Sequence, residues 1–364
     1  MDKLEYLKKL VSIKSYDTTQ NKKIIDYLES EFSKTANEII KLKSPSDGRE
    51  SMIVGLNCDL KNINDAIVLA GHIDTVVADE AGYNTNPYIP TEIDGKLYGL
   101  GTIDMKSFFG VVLNNMERLK QLNSPIVVVA TGDEETTLNG ATIVSEKFRE
   151  LGVVPKLTIV GEPTLGEICS RSKSCYEFEI CVTGKRCHSS NPNGGINANY
   201  ILARLMLKIE ELCFKYPDTT LTCNIVSGGE AVNIICDSAK LKFDLRSYSG
   251  KYISAVENDI RAYICELLKM YDGAKIEMKI NLAIPPLENK NPDLIARLCA
   301  KLGTSESTFG AGCEAGYYQA VGGDAIVYGV GDLKLAHKPN EYAEIKEFLK
   351  YNDTFVDFVK YCCE

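Results

Sequence analysis

Three short, uninterrupted apolar runs constrain this chain more than any other feature: AIVLAG at 66–71, IVVVAT at 126–131 and LTIVG at 157–161. Each ends in Gly or in polar residues. Such runs read as strands buried on both faces, as in a parallel sheet. Between them, residues 105–122 and 139–151 have helical composition, and residues 21–34 (NKKIIDYLESEFSK) repeat apolar positions at helical spacing. The expected class is α/β, a central and mostly parallel sheet flanked by helices.

The pattern changes near residue 172. CYEFEICVTG (175–184) alternates apolar and polar residues, which marks a strand with one wet face. A helix is expected over 198–215, alternating strands over 221–227 and 239–246, a helix over 251–270 and a strand over 274–282. This β-α-β-β-α-β order predicts a ferredoxin-like α+β domain inserted into the larger one. The prolines of AIPP (283–286) close it. The helix 291–302 and the apolar segment 325–330 return the chain to the first domain. The expected partition is 1–171 and 283–364 for the larger domain and 172–282 for the insertion.

A chain of 364 residues with 45% hydrophobic content can bury two cores. The net charge is −9, and no Lys/Arg stripe interleaved with aromatics occurs, so nucleic acid is not an expected partner. The first residues, MDKLEYLKKLVSIKSYD, carry charges throughout and lack the apolar centre of a signal peptide. No apolar run reaches the roughly 18 residues of a membrane span. The 13 cysteines are scattered, form no CxxC pair and often sit in apolar segments. Reduced thiols and a cytoplasmic location are therefore expected.

Only three histidines occur: His72, His188 and His337. His72 follows the first buried strand. Asp74 lies two residues on, a spacing that shares a face in a strand. A carboxylate beside a ligating imidazole fixes its tautomer and raises its basicity. Asp104 follows a GLG turn and precedes a helix, where a lone aspartate would serve as a cap. Glu134 and Glu135 follow the second strand and, being adjacent, project in different directions. Glu162 follows the third strand. His337 lies far along the chain in LAHKPNEY. Each has an ordinary explanation alone: a strand-end histidine, a cap, a solvated acidic turn, a surface histidine. Together they form the ligand set of a hydrolytic zinc site. Cobalt or manganese suits the same donors.

The segments GHIDTV, YGLGTIDMK, TGDEE, GEPT, CHSSNPNGGINA, GGEAVNIICDSAKLKFDLR and HKPNEY occur in this order. In order and spacing the chain resembles the co-catalytic di-zinc amidohydrolases and exopeptidases that include aminoacylase, bacterial carboxypeptidase G, succinyl-diaminopimelate desuccinylase and acetylornithine deacetylase. The resemblance implies that His72 and Glu162 bind one zinc, Glu135 and His337 the other, and that Asp104 bridges them. It implies Glu134 as general base, Asp74 as the partner of His72, and a cis peptide between Asp104 and Met105. The inserted domain would be a lid and dimerisation domain. There Arg246 and Asn233 would hold the substrate's carboxylate and carbonyl. His188 would serve as oxyanion donor in the partner's site of a homodimer.

DMKSFFG and GCEAGYYQAVGGDAIVYGVGDLKLAHKPNEY resemble the acetylornithine deacetylase branch in particular. Glu314, in the second of these, is then expected to pair with a cationic substrate side chain. Ser107 and Cys187 depart from the family's usual Gly and small residue. The implied substrate is a small N-acyl amino acid, first N-acetylornithine, cleaved to ornithine and acetate. Desuccinylase, aminoacylase or dipeptidase activity on the same site is the alternative. A homologue that binds a ligand without catalysis is a further one, disfavoured by the complete ligand set.

Overall fold

The computed structural model describes residues 2–288 and 290–364. It divides into two compact units. The first comprises Met1–Ser172, Leu287–Phe309 and Glu314–Glu364; the second comprises Lys173–Pro286 and Gly310–Cys313.

An eight-stranded sheet forms the first unit. Its strand order is Glu38–Lys43, Glu50–Gly55, Ile126–Thr131, Ala66–His72, Pro155–Val160, Asp324–Val327, Ile168–Ser172, Glu306–Phe309. The strands Ile126–Thr131, Ala66–His72, Pro155–Val160 and Asp324–Val327 are mutually parallel. Every residue of Ala66–His72 and of Ile126–Thr131 is buried, which is why these segments are apolar without alternation. The register sets His72 opposite Thr131, and Ala70 opposite Val160. The carboxyl ends of three strands are thus level. In open α/β sheets that edge is where sites form.

Packing then sets the height of each strand end. Phe108, on the helix Lys106–Lys120, meets Phe109 and Phe355 edge-on, both at 5.8 Å between ring centres. A β-carbon at Gly161 would lie 2.1 Å from Phe108 Cγ, and one at Gly71 would lie 2.1 Å from Met105 Cε. Glycine therefore lets the strand ends bearing Glu162 and His72 settle directly on the helix start.

Some elements lie outside the expected set. The antiparallel pair Glu38–Lys43 and Glu50–Gly55 extends one edge of the sheet. A small sheet joins Thr91–Ile93, Lys96–Tyr98 and Tyr342–Glu344. The helix Ile345–Cys363 buries Phe348, Tyr351, Phe355 and Val359.

In the second unit the strands Cys175–Thr183, Thr219–Gly228, Ser238–Ser247 and Lys275–Ile284 form an antiparallel sheet. In chain order the spatial sequence is 2-3-1-4, the ferredoxin-like arrangement. Helices Ala198–Lys215 and Gly250–Met270 cover one face with Ile201, Leu205, Ile209, Val256 and Ile260. Phe178 and Phe243 stack beneath them, 4.9 Å apart. The other face carries Glu179, Lys240 and Lys242, so these strands alternate as expected. Among the described residues no helix is long and apolar enough to cross a membrane.

Candidate metal centre

His72 is the last residue of its strand. Its Nδ1 lies 3.0 Å from the backbone oxygen of Asp74. A carbonyl only accepts, so Nδ1 carries a proton, and Nε2 is the atom that would turn its lone pair to a cation once its own proton is given up. That Nε2 lies 3.0 Å from Asp104 Oδ1 and 3.6 Å from Glu162 Oε1. The strand holding Glu162 is the neighbour of the His72 strand, and Glu162 begins the loop two residues past its end.

Asp104 turns its other oxygen elsewhere. Its Oδ2 is 3.2 Å from His337 Nε2, which is also 2.8 Å from Glu135 Oε1. Two trios of ligand atoms result, His72/Asp104/Glu162 and Asp104/Glu135/His337, and each gathers within 4.8 Å. Asp104 belongs to both. Glu134 joins a third grouping with His72 and Glu135. The peptide between Asp104 and Met105 is cis, as expected from the resemblance.

Asp74 does more than flank His72. Its Oδ1 lies 3.5 Å from His72 Nδ1, and its two oxygens accept the Glu134 and Glu135 amides, each at 3.1 Å. Arg49 Nη1 approaches the same carboxylate at 3.4 Å. One buried carboxylate thus ties the end of the His72 strand to the acidic turn. Asp133 serves that turn itself. It accepts the Gly140 amide at 2.7 Å and the Thr137 hydroxyl at 2.5 Å.

The electrostatics call for cations. Burial pushes the Glu134 carboxyl well above the usual range, with Glu162, Glu135 and Asp104 adding to it against His72. Burial likewise raises Glu162. Asp104 is held far below the ordinary value: burial works against this, but hydrogen bonds from His337 and His72 outweigh it. Hydrogen bonding to Asp104 and then Glu135 raises His337 to about 10. Four carboxylates share the centre with two imidazoles, and the raised Glu134 and Glu162 show that all four are not held ionised together without added positive charge. Oxygen and nitrogen donors arranged in two overlapping trios fit two divalent cations.

Residues 68–361 match the model of peptidase family M20/M25/M40. The chain belongs to that family. It is a metal-dependent amidohydrolase. Among curated M20 relatives, the acetylornithine deacetylase of Vibrio campbellii is 30% identical over 390 residues, covering 99% of this chain and 98% of that protein. The acetylornithine deacetylase of Buchnera aphidicola is 28% identical, covering 94% and 93%. Among solved structures, the aminopeptidase PepT of Bacillus cereus superposes with a TM-score of 0.80 at 21% identity, covering 100% of this chain and 98% of that one. The Bacillus subtilis YXEP protein, a dinuclear metal-binding M20 peptidase, superposes with a TM-score of 0.70 at 18% identity, covering 99% and 97%.

In this M20 chain the second unit carries three further expected residues, His188, Asn233 and Arg246. His188 Nδ1 lies 2.8 Å from Ser190 Oγ, and the Ser189 amide donates to the Asn233 carbonyl at 3.0 Å. The His188 and Asn233 loops therefore lie together. Arg246 Nε sits 3.0 and 2.9 Å from the two oxygens of Asp244. Asp244 occupies the same face of that strand, so Arg246 makes a surface ion pair in this conformation.

Glu314 departs from expectation. It is 0% exposed, enclosed in the first unit, with the Tyr318 hydroxyl 3.4 Å from its Oε2. Burial pushes its carboxyl up to about 7. Pairing with a substrate cation would need an open face that this carboxyl does not present in the structure.

Three supporting residues escaped the sequence. Lys106, 1% exposed, donates to the Ile13 carbonyl at 2.8 Å, and burial lowers it to about 7. Glu341 is buried beside Asp104. Both stand inside the quoted segments YGLGTIDMK and HKPNEY, so a signal existed. Arg49 had none.

Proposed function

We propose that this chain hydrolyses the amide bond of an N-acyl amino acid, with N-acetylornithine as the substrate that fits best. The observation that carries the reading is Asp104, whose two oxygens face two separate histidine–carboxylate pairs beside Glu134. His72 and Glu162 would hold one cation, Glu135 and His337 the other, and Asp104 both. Zinc is the preferred ion, with cobalt or manganese as alternatives. Two such cations supply Lewis acidity to the carbonyl and acidify water. Glu134 takes the proton from the attacking water on its carboxylate and returns it to the departing amine nitrogen. Without cations, burial and then the neighbouring carboxylates raise its proton affinity, and bound cations would draw it back down. Asp74 keeps the Glu134 backbone fixed while the side chain works.

Arg246 and Asn233 are the proposed holders of the substrate's carboxylate and carbonyl, since a guanidinium fork matches a carboxylate. His188 is the proposed oxyanion donor, acting in the partner's site of a homodimer. An exposed apolar strip supports the dimer: Tyr200, Leu207 and Phe214 recur every seven residues on one helix, and Phe214 is 86% exposed. The acyl amino acid is favoured over a peptide because the two acetylornithine deacetylases match along nearly their whole length.

The test is an amine-release screen with zinc added. It compares N-acetylornithine, N-succinyl-diaminopimelate, other acetyl amino acids, dipeptides and tripeptides. Preference for N-acetylornithine is expected. Faster cleavage of the succinyl compound or of peptides would move the chain to another specificity. No cleavage by zinc-loaded protein would leave a binding protein.

A further inference from the structure

We propose that Glu341 is a positioning residue that pre-assembles the two-cation centre by holding the loops of Asp104 and His337 together. The inference rests on the reading of His72, Asp104, Glu135, Glu162 and His337 as cation ligands.

The loop between the strand Lys96–Tyr98 and the helix Lys106–Lys120 delivers Asp104. Three of its amides turn toward one carboxylate, while those of Leu100 and Thr102 donate to the carbonyls of Pro87 and Gly99. Glu341 Oε1 accepts the Ile103 amide at 2.8 Å and the Asp104 amide at 3.4 Å. Oε2 accepts the Gly101 amide at 3.1 Å. The Thr102 hydroxyl lies 3.4 Å from Oε1 while donating to the Gly99 carbonyl at 2.7 Å. Gly101 has φ +82°, a value that suits glycine and helps the amides converge. Converging amides form an anion cradle. Here the anion is the chain's own side chain.

Each half needs the other. Glu341 is 1% exposed, and a buried carboxylate is costly without hydrogen bonds. The loop amides, in turn, would be buried donors without acceptors. One of the three amides belongs to Asp104 itself. Emptying the cradle therefore frees the backbone of the residue common to both ligand trios.

The same glutamate fixes the second loop from its other end. Its carbonyl accepts the Gly99 amide at 3.0 Å, and Tyr342 pairs with Tyr98. Asn340, just before it, accepts the Asn84 amide at 2.7 Å. The short stretch from Asn340 to Tyr342 is thus pinned in three places. His337 stands four residues upstream, and its Nε2 faces Asp104. Glu341 therefore joins two ligands that lie 233 residues apart in sequence, and all its named partners belong to the loop.

The test uses Glu341→Gln, which keeps the size but turns an NH2 group against the amide cradle. Metal-stripped wild type and variant are titrated with Co2+, followed by calorimetry and visible absorption, and kcat and KM are measured with zinc. Wild type should bind two Co2+. The folded variant should bind cobalt about 10–100-fold more weakly, the usual effect of losing a group that orients ligands. Its cobalt spectrum should change, and kcat should fall with KM little altered. Glu341→Asp, which keeps the charge but withdraws it by one methylene, should recover part of the loss. A merely structural role would lower thermal stability and leave the cobalt spectrum and affinities of the folded fraction untouched. That result overturns the proposal. If Glu341→Gln does not fold, Glu341→Asp is read the same way, and wild-type cobalt affinities in it overturn the proposal. Failure of wild type to bind cobalt would overturn the ligand reading, and this inference with it.

Discussion

Asp74 holds Glu134 by its backbone: Asp74 Oδ1 accepts the Glu134 amide at 3.1 Å, so the glutamate side chain stays free. The other oxygen does the same for Glu135. Asp74→Asn keeps the shape but sets an NH2 group against one of these amides. Turnover should drop about 10–100-fold, as for other groups that orient ligands. Asp74→Ala should also cost stability, about 1–3 kcal/mol for each amide left unpaired. Steady-state kinetics and urea denaturation check the two effects. Wild-type turnover in Asp74→Asn would show that the tie is dispensable.

Glu134 and Glu135 are adjacent but should separate cleanly by mutation. Glu134→Gln is expected to keep both cations and lose at least ~10²-fold in kcat, the scale of general acid–base catalysis. Glu135→Gln is expected to bind less metal, because it removes a carboxylate oxygen 2.8 Å from His337. Metal analysis of dialysed protein alongside kcat distinguishes them. Near-normal turnover in Glu134→Gln would refute its role as base.

His337 links metal binding to pH. Asp104 first, then Glu135, raises it from an ordinary value of 6.5 to about 10 in the metal-free chain. Below pH 10 the ring is protonated, and a cation must expel that proton to bind. Apparent affinity should therefore rise with pH, about tenfold per unit for each proton displaced. The sign reverses for folding without metal. A raised histidine pKa stabilises fully below pH 6.5, and that contribution is lost as pH climbs toward 10. Calorimetric titration in buffers of different ionisation enthalpy counts the released proton. Affinity independent of pH would contradict the coupling.

Gly161 tests the packing under Glu162. A β-carbon there would lie 2.1 Å from Cγ of the buried Phe108 ring. Gly161→Ala should destabilise by about 1–3 kcal/mol, the range for overpacking. Phe108→Leu in the same chain should not restore it, because leucine keeps the Cβ and Cγ that the new methyl group meets. Equal denaturation midpoints for wild type and Gly161→Ala would mean that the ring yields freely.

His188 gives the test of the homodimer. Mixed subunits of His188→Ala and Glu134→Ala contain one complete site only if the histidine acts in the partner. Activity should then recover after subunit exchange, from parents that are each depressed. The loss of an oxyanion donor alone should cost about 10²–10³ in turnover. Verified exchange without recovery would rule out the crossed arrangement.

The parallel strands were legible because burial on both faces removes polar residues from the run, as in Ile126–Thr131. The inserted unit was legible because one wet face restores alternation, as in Ser238–Ser247. The helix Ile345–Cys363 lay outside the expected set, although Phe348, Tyr351, Phe355 and Val359 recur at helical spacing. The pair Glu38–Lys43 and Glu50–Gly55 gave less to read. Glu38–Lys43 alternates only over its last four residues and has none fully buried, whereas Glu50–Gly55 is almost wholly buried and does not alternate.

Sequence alone determined the residue types at the strand ends: an imidazole after one apolar run and carboxylates after the others. Their identity is chemical and local, so it can be read from the order of residues. What those groups do to one another is decided in three dimensions. Asp104 reaches His72 with one oxygen and His337 with the other only because the sheet levels the strand ends and the Glu341 cradle fixes the loop. Glu314 looked available in sequence and is enclosed in the fold. Burial, hydrogen-bond partners and proton affinity depend on neighbours brought in from distant parts of the chain, and a linear pattern does not carry them.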